Sequence, residues 1–172
     1  MRRLTLTMCV LALAGCGGGQ GSEDRQRSDA AQERTLAPAE YARRVDRLCT
    51  RVTRQVAPFQ GRLRTALARG GSERTQMAGV ANVLDQQLAV VTGFREDVEA
   101  IALPSAHADD ARRLIEKTKA AERELAAAID ALRAGAEERA TGALRRYAGL
   151  SLQSASIARD SELGFAICGA GA

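Results

Sequence analysis

Residues 41–71 read YARRVDRLCTRVTRQVAPFQGRLRTALARGG, and the spacing of the apolar side chains in that run decides the fold. Tyr41, Val45, Leu48, Val52, Val56, Phe59, Leu63 and Leu67 recur at steps of three and four. Such steps line up along one face of a helix, whereas a half-buried strand needs strict alternation. Pro38 suits a first helical turn, where a missing N–H leaves nothing unsatisfied. Pro58 falls inside the pattern and must kink the helix or split it, because it donates no hydrogen bond and its ring crowds the preceding turn. Gly70-Gly71 ends the run.

Three further segments repeat the pattern. Ser72 is placed to cap the second, whose stripe is Met77, Val80, Leu84, Leu88, Val91, Phe94, Val98 and Ile101 before Pro104 stops it. Ser105 is the expected cap of the third, striped by Ala111, Leu114, Ile115, Thr118, Leu125, Ile129 and Leu132 and closed by Gly135. The fourth runs from about Glu137 to about Ser161, with Leu144, Tyr147, Leu150, Ser154 and Ile157 on one side. No segment alternates with period two, and aromatic residues, which favour strands, are only 3% of the chain. Helices of roughly 25–32 residues are about 40–48 Å long at 1.5 Å per residue. Joined by short connections they run antiparallel, so the expected fold is all-α, an up-down-up-down four-helix bundle over residues 38–172.

What precedes the bundle has a different logic. Met1-Arg2-Arg3 is a positive start, Leu4 to Ala14 is apolar, and Leu13-Ala14-Gly15-Cys16 follows. The apolar stretch is far short of the about 20 residues that span a bilayer but suits a secretory signal peptide. The order of a branched residue, two small residues and a cysteine is a lipobox. A lipid joins the Cys16 sulfur, and a peptidase with a narrow site cuts after the small residue before it. Residues 1–15 are thus expected to be a cleaved lipoprotein signal peptide, and residues 16–37 a lipidated cysteine and flexible tether. Gly17-Gly18-Gly19-Gln20-Gly21-Ser22 and the polar run behind it have little to bury. The expected address is the extracytoplasmic side of the cell membrane.

Processing changes the bookkeeping of charge and cysteine. The formal charge is +4. Losing Arg2 and Arg3 leaves 23 basic against 21 acidic residues, a balance that points away from nucleic acid. Of the four cysteines, Cys9 leaves with the signal peptide and Cys16 takes the lipid. Cys49 and Cys168 remain, one near each end of the folded part and in an oxidising compartment, and such a pair reads as a disulfide rather than as free thiols. With a single histidine in the chain, the two do not make a zinc site. In the expected topology the end of the fourth helix returns beside the first half of the first, so the two cysteines can meet.

Two segments of the folded part carry a resemblance. Tyr41-x3-Val45-Asp46-x-Leu48-Cys49 near its start and Leu163-Gly164-x3-Cys168-Gly169 at its end resemble small lipid-anchored helical proteins of actinobacteria. The likeness covers about 130 residues, only these two segments being distinctive; it implies a helical bundle whose ends are joined by a disulfide, and no named activity.

Catalytic chemistry finds no foothold. His107 falls just after Pro104 and reads as an exposed helix-start residue, and no serine or cysteine has a histidine base placed by motif. Asp109-Asp110 and Glu137-Glu138 sit in first helical turns, where acids oppose the helix dipole favourably. There is no Glu-x-x-His pair for a di-iron site and no phosphate-cradling glycine loop. No enzyme, metal or cofactor is expected. The first helix is lopsided, with eight arginines from Pro38 to Arg69 against Glu40 and Asp46. Arg43, Arg47, Arg51 and Arg54 share a face. They are either a stripe for an anionic partner, such as lipid headgroups, an envelope polymer or an acidic envelope protein, or a solvated face pairing with acids of the second helix; the solvated face is preferred. In the fourth helix Ser151, Ser154, Ala155 and Ser156 make the middle small. Either a neighbour approaches closely, the preferred reading, or a groove is left for a ligand.

The leading expectation for function is a lipid-anchored binding or interaction module at the cell envelope. The alternative is a carrier of a small hydrophobic ligand held between helices. A cavity near Ser154 separates the two. Partner identity and oligomeric state are not readable from the chain.

Overall fold

Every amphipathic run forms helix in the computed structural model, which describes residues 35–168. The elements are α1 (Pro38–Val56), α2 (Phe59–Ala68), α3 (Glu73–Glu99), α4 (Ala108–Arg133) and α5 (Glu137–Asp160). Among the described residues there is no strand beyond an isolated bridge between Leu36 and Pro104. The architecture is the expected antiparallel four-helix bundle, with its first helix in two pieces. No helix among the described residues is long and apolar enough to cross a membrane. The expected signal peptide and Cys16 lie outside the described residues.

Pro58 splits the first helix. Ala57 and Pro58 both keep right-handed helical angles, and the hydrogen-bond ladder resumes at once, Arg62 N–H donating to Pro58 O at 3.1 Å. The apolar face runs on across the break through Val56, Phe59 and Leu63 and departs from the expected stripe only at the end of α2. Leu67, expected inside, is 57% exposed, and Ala66 is buried in its place. Ala66 lies flat against Gly79 of α3, where an added Cβ would meet the Ala66 Cβ at 3.5 Å. Small residues at that crossing bring α2 close to α3.

The helix ends follow local chemistry with one exception. Ser72 caps α3, its Oγ accepting from Thr75 N–H at 3.3 Å. Gly135, at φ +70, closes α4; Ala136 N–H donates to Ala131 O at 2.8 Å and Gly135 N–H to Leu132 O at 3.1 Å, a Schellman pair. The exception is Ser105. Its N–H is taken by Leu36 O at 2.7 Å in the Leu36–Pro104 bridge, so it belongs to a tie between the entry of α1 and the α3–α4 connection. The helix starts three residues later, with His107 at its cap position in a left-handed conformation, φ 60. No side chain caps it; the acids Asp109 and Asp110 fill its first turn, as Glu137 and Glu138 do in α5.

Packing runs in chain order: α1 and α2 lie on α3, α3 on α4, and α4 most extensively on α5. Ala128, Ala131, Ala140 and Ala143 are buried on these two helices, and side chains that short let the backbones approach. No comparable helix packing joins α1 to α5. One core centres on Leu84, Leu125, Ile129 and Leu132. A second, at the opposite end of α4, gathers Tyr41, Val45, Val98, Ala111 and Leu163, and a third, between α2 and α3, gathers Phe59, Ala66 and Val83.

Candidate functional site

Where α1 and α5 fail to close on each other, the chain after α5 crosses the gap. Leu163 is buried, and Phe165 meets Tyr41 edge to face with ring centroids 6.3 Å apart. Cys168 is bonded to Cys49 of α1, with Cα atoms 5.5 Å apart. This is the expected disulfide, within the reach of about 7 Å that such a bond allows. A third fastening was not foreseen. The Asp46 carboxylate accepts hydrogen bonds from Ala166 N–H at 2.8 Å and from the N–H groups of Ile167 and Cys168, each at 3.1 Å. Three successive amides converge on one carboxylate and hold residues 163–168 as a strap.

Tyr41 sits beneath this strap, wholly buried, and its hydroxyl meets no hydrogen-bond partner. Burial pushes its phenol up to about 12 from the usual 10.0.

Under the strap lies an apolar groove of about 200 Å³. Its floor and walls come from Val91 and Phe94 of α3, Leu114, Thr118 and Ala121 of α4, and the small face of α5. Cys49 and Cys168 line it as well, so the disulfide that ties the fold also bounds the groove. The α5 side is lined by Tyr147, Ser151, Ser154, Ala155 and Ala158. Of the four small residues expected to mark a close helix approach, Ser151, Ser154 and Ala155 line the groove instead, while Ser156 Oγ donates to Asp160 Oδ2 at 2.8 Å. Close approach occurs along α5 at Ala140 and Ala143, and the later small residues face the groove.

The polar atoms there are few and already oriented. Thr118 Oγ1 donates to Leu114 O at 2.9 Å, Ser151 Oγ to Tyr147 O at 2.9 Å and Ser154 Oγ to Leu150 O at 3.1 Å. Tyr147 Oη accepts from Gln87 Nε2 at 3.1 Å. No lysine, arginine, histidine or carboxylate lines the groove. A wider depression of about 730 Å³ between α2 and α3 is more polar, walled by Arg62, Arg69 and Gln86. Its polar groups serve each other, Arg62 Nη1 donating to Gln86 Oε1 at 2.8 Å.

The arginine stripe divides. Arg43 and its neighbour Arg44 clasp Glu40, at 2.7 and 2.8 Å, and these guanidinium groups, Arg44 first, hold the Glu40 carboxyl down at about 2. Arg51 pairs with Asp97 of α3. Arg47 and Arg54 are exposed, and among the described residues neither meets an acid. Only Arg51 pairs with the neighbouring helix as the solvated-face reading expects; Arg43 pairs within its own helix, and Arg47 and Arg54 are left open.

The most enclosed charges lie elsewhere, in a network the sequence reading passed over. Arg95 Nε reaches both Glu122 oxygens, at 3.0 and 3.1 Å, and pairs with Glu99, which also takes Lys119 at 2.5 Å. These groups clamp α3 to α4, and Arg95 also reaches the exposed Glu96 at 3.2 Å. His107 is exposed and lies 3.4 Å from Glu162. Among the described residues no group of three or more histidines, cysteines and acids could hold a metal ion.

The part that sequence reasoning missed is Asp46. In a helix with eight arginines its carboxylate looks like ordinary charge balance. The available signal was its place in Val45-Asp46-x-Leu48-Cys49, three residues before a cysteine that must meet the far end of the chain. Compared with protein-family models, with curated proteins and with solved structures, the chain matches none of them.

Proposed function

We propose that this protein is a membrane-tethered, extracytoplasmic binding protein that carries a small apolar ligand in the groove between α3, α4 and α5. One observation carries the reading: an open-sided groove between α3, α4 and α5 holds about 200 Å³ of largely apolar space, walled by Val91, Phe94 and Leu114 opposite the small residues of α5. A cavity of about 150 Å³ with apolar walls suffices to bind benzene, so this groove encloses a single ring or a short acyl chain and, being open on one side, admits one end of a longer apolar molecule. The cavity stands at Ser154, the position that separates a carrier from a pure interaction module, and so supports the carrier reading. The tether belongs to the same proposal: the lipobox ending at Cys16 would hold the bundle at the membrane surface, where apolar ligands concentrate.

The test is fluorescence of N-phenyl-1-naphthylamine, a neutral apolar probe, titrated with the exported protein. Saturable enhancement at one probe per chain is expected. Ala155→Leu, which fills the groove without adding charge, should remove the enhancement while leaving the helical circular dichroism intact. Equal enhancement by wild type and Ala155→Leu, or none by wild type, would overturn the proposal.

A further inference from the structure

We infer that the groove selects an uncharged ligand whose inner end carries a hydroxyl, an inference that rests on the carrier reading above. The first argument is charge. None of the groove-lining side chains is a cation or a carboxylate. A fatty acid anion or an alkylammonium would leave water for walls with no counter-charge, and an unpaired buried charge is among the costliest groups to bury. Neutral ligands escape that cost.

The second argument is the direction of the hydrogen bonds. A serine or threonine hydroxyl has one hydrogen to give and two lone pairs to receive with. At Thr118, Ser151 and Ser154 the hydrogen is committed to the carbonyl four residues earlier, on Leu114, Tyr147 and Leu150. What these three present to the groove is acceptor only. Thr118 is itself nine-tenths buried, so its free lone pairs gain no compensation from bulk water. Tyr147 is the converse: its oxygen receives Gln87 Nε2 at 3.1 Å, which leaves its own hydrogen free to donate. The groove thus offers acceptors from α4 and α5 and one donor from Tyr147. A hydroxyl answers both, giving its hydrogen to a serine or threonine oxygen and receiving from Tyr147. An ether or ester answers only the tyrosine; a hydrocarbon answers neither.

The experiment is displacement of bound N-phenyl-1-naphthylamine from the exported protein at neutral pH by 1-octanol, 1-methoxyheptane, octanoate and octylammonium. The first two match in size and differ in the hydrogen to donate; the last two add charge of either sign. One-octanol should displace at a concentration about fivefold below 1-methoxyheptane, the usual worth of one hydrogen bond, and at least about tenfold below either ion. The triple variant Thr118→Val, Ser151→Ala, Ser154→Ala should keep its helical circular dichroism, and its octanol-to-ether preference, measured against its own affinity for the probe, should fall to about one. If octanoate competes as well as octanol, or the triple variant keeps the preference, the inference is overturned and the carrier reading stands. Failure of the probe to bind at all removes the carrier reading and this inference with it.

Discussion

Replacing Asp46 with alanine tests how the strap is held. Its carboxylate receives three backbone N–H groups over 2.8–3.1 Å, and all three lose their acceptor at once. Hydrogen bonds to a charged group contribute about 1.5–3 kcal/mol each when enclosed. Ala166 and Ile167 are exposed, so water replaces part of the loss, and about 1 kcal/mol per bond is the better figure. The expected destabilisation is therefore about 3 kcal/mol, or roughly 8–12 °C in Tm for a folded part of this size. Asp46→Asn keeps one carbonyl oxygen where Ile167 and Cys168 donate, and should lose about half as much. Thermal melts of the oxidised protein give the global effect, and hydrogen exchange gives the local one: the amides of Ala166, Ile167 and Cys168 should exchange faster, while those in the middle of α4 do not. Because Cys168 edges the groove, probe affinity should fall in the same order, wild type above Asn above Ala. A melt within a degree of wild type, with unchanged exchange at the three amides, would refute the reasoning and leave the disulfide as the strap's fastening.

Four further outcomes are expected. Tyr41→Phe should be neutral or stabilising by about 1 kcal/mol, since it deletes a buried hydroxyl without a partner; in wild type, with Tyr41 held up at about 12, stability should be undiminished below pH 10 and fall as pH rises from 10 towards 12, because the unfolded chain ionises first, and the Phe variant should lose less over that window. Glutamine at Arg47 and Arg54 should leave Tm unchanged, and salt-sensitive binding to anionic vesicles that survives the exchange would show that the stripe is not a docking face. Cys49→Ala with Cys168→Ala should lower Tm substantially, the loop-closure limit being about 5 kcal/mol, while leaving room-temperature helicity nearly intact. Cys16→Ser should release the protein from the membrane or leave it unprocessed, and a wild-type mature form that begins elsewhere than a lipidated Cys16 would end the tether proposal.

The helices were legible because burial on one face leaves a repeat that survives any detail of packing. Their phase was less so. The face stays in phase across Pro58 through Phe59 and Leu63, and only at the end of α2 is Ala66 inside and Leu67 in water, because a stripe read at steps of four drifts off a face that repeats about every 3.6 residues. Ser105 misled for a related reason. Capping is a local rule, but the Ser105 amide is captured by Leu36, remote in sequence. Buried alanines in α4 and α5 stand out little in an apolar stripe, although they lie in the most extensive helix contact of the bundle. The disulfide was legible from pairing logic, and Asp46 was not, since its partners are main-chain amides that carry no sequence signature. The groove was legible only as a fork: small residues at Ser151, Ser154 and Ala155 permit either contact or space, and which occurs depends on where a fifth segment, the strap, comes to lie.

That dependence explains why the disulfide and the groove share the same two residues. Leaving apolar space in a core costs about 24 cal/mol per Å³, so a groove of about 200 Å³ costs at most about 5 kcal/mol, less to the extent that water enters it. Against a typical net stability of about 5–15 kcal/mol, a bundle with three phenylalanines, two tyrosines and no tryptophan has little surplus for an empty centre. Leucine at Ala155 or Ala158 would recover much of the cost by filling the space. The crosslink from Cys49 to Cys168 restrains the unfolded chain across 119 positions and contributes up to about 5 kcal/mol, an amount of the same size as the groove's cost. It does so without placing a side chain in the space. Bound ligand would act in the same sense, favouring the strapped state over any opened one by its binding free energy. Groove, strap and crosslink are thus thermodynamically one unit: ligand should raise Tm less in the Asp46 variants than in wild type if those variants open the strap before melting, because part of the binding free energy then goes into reclosing it.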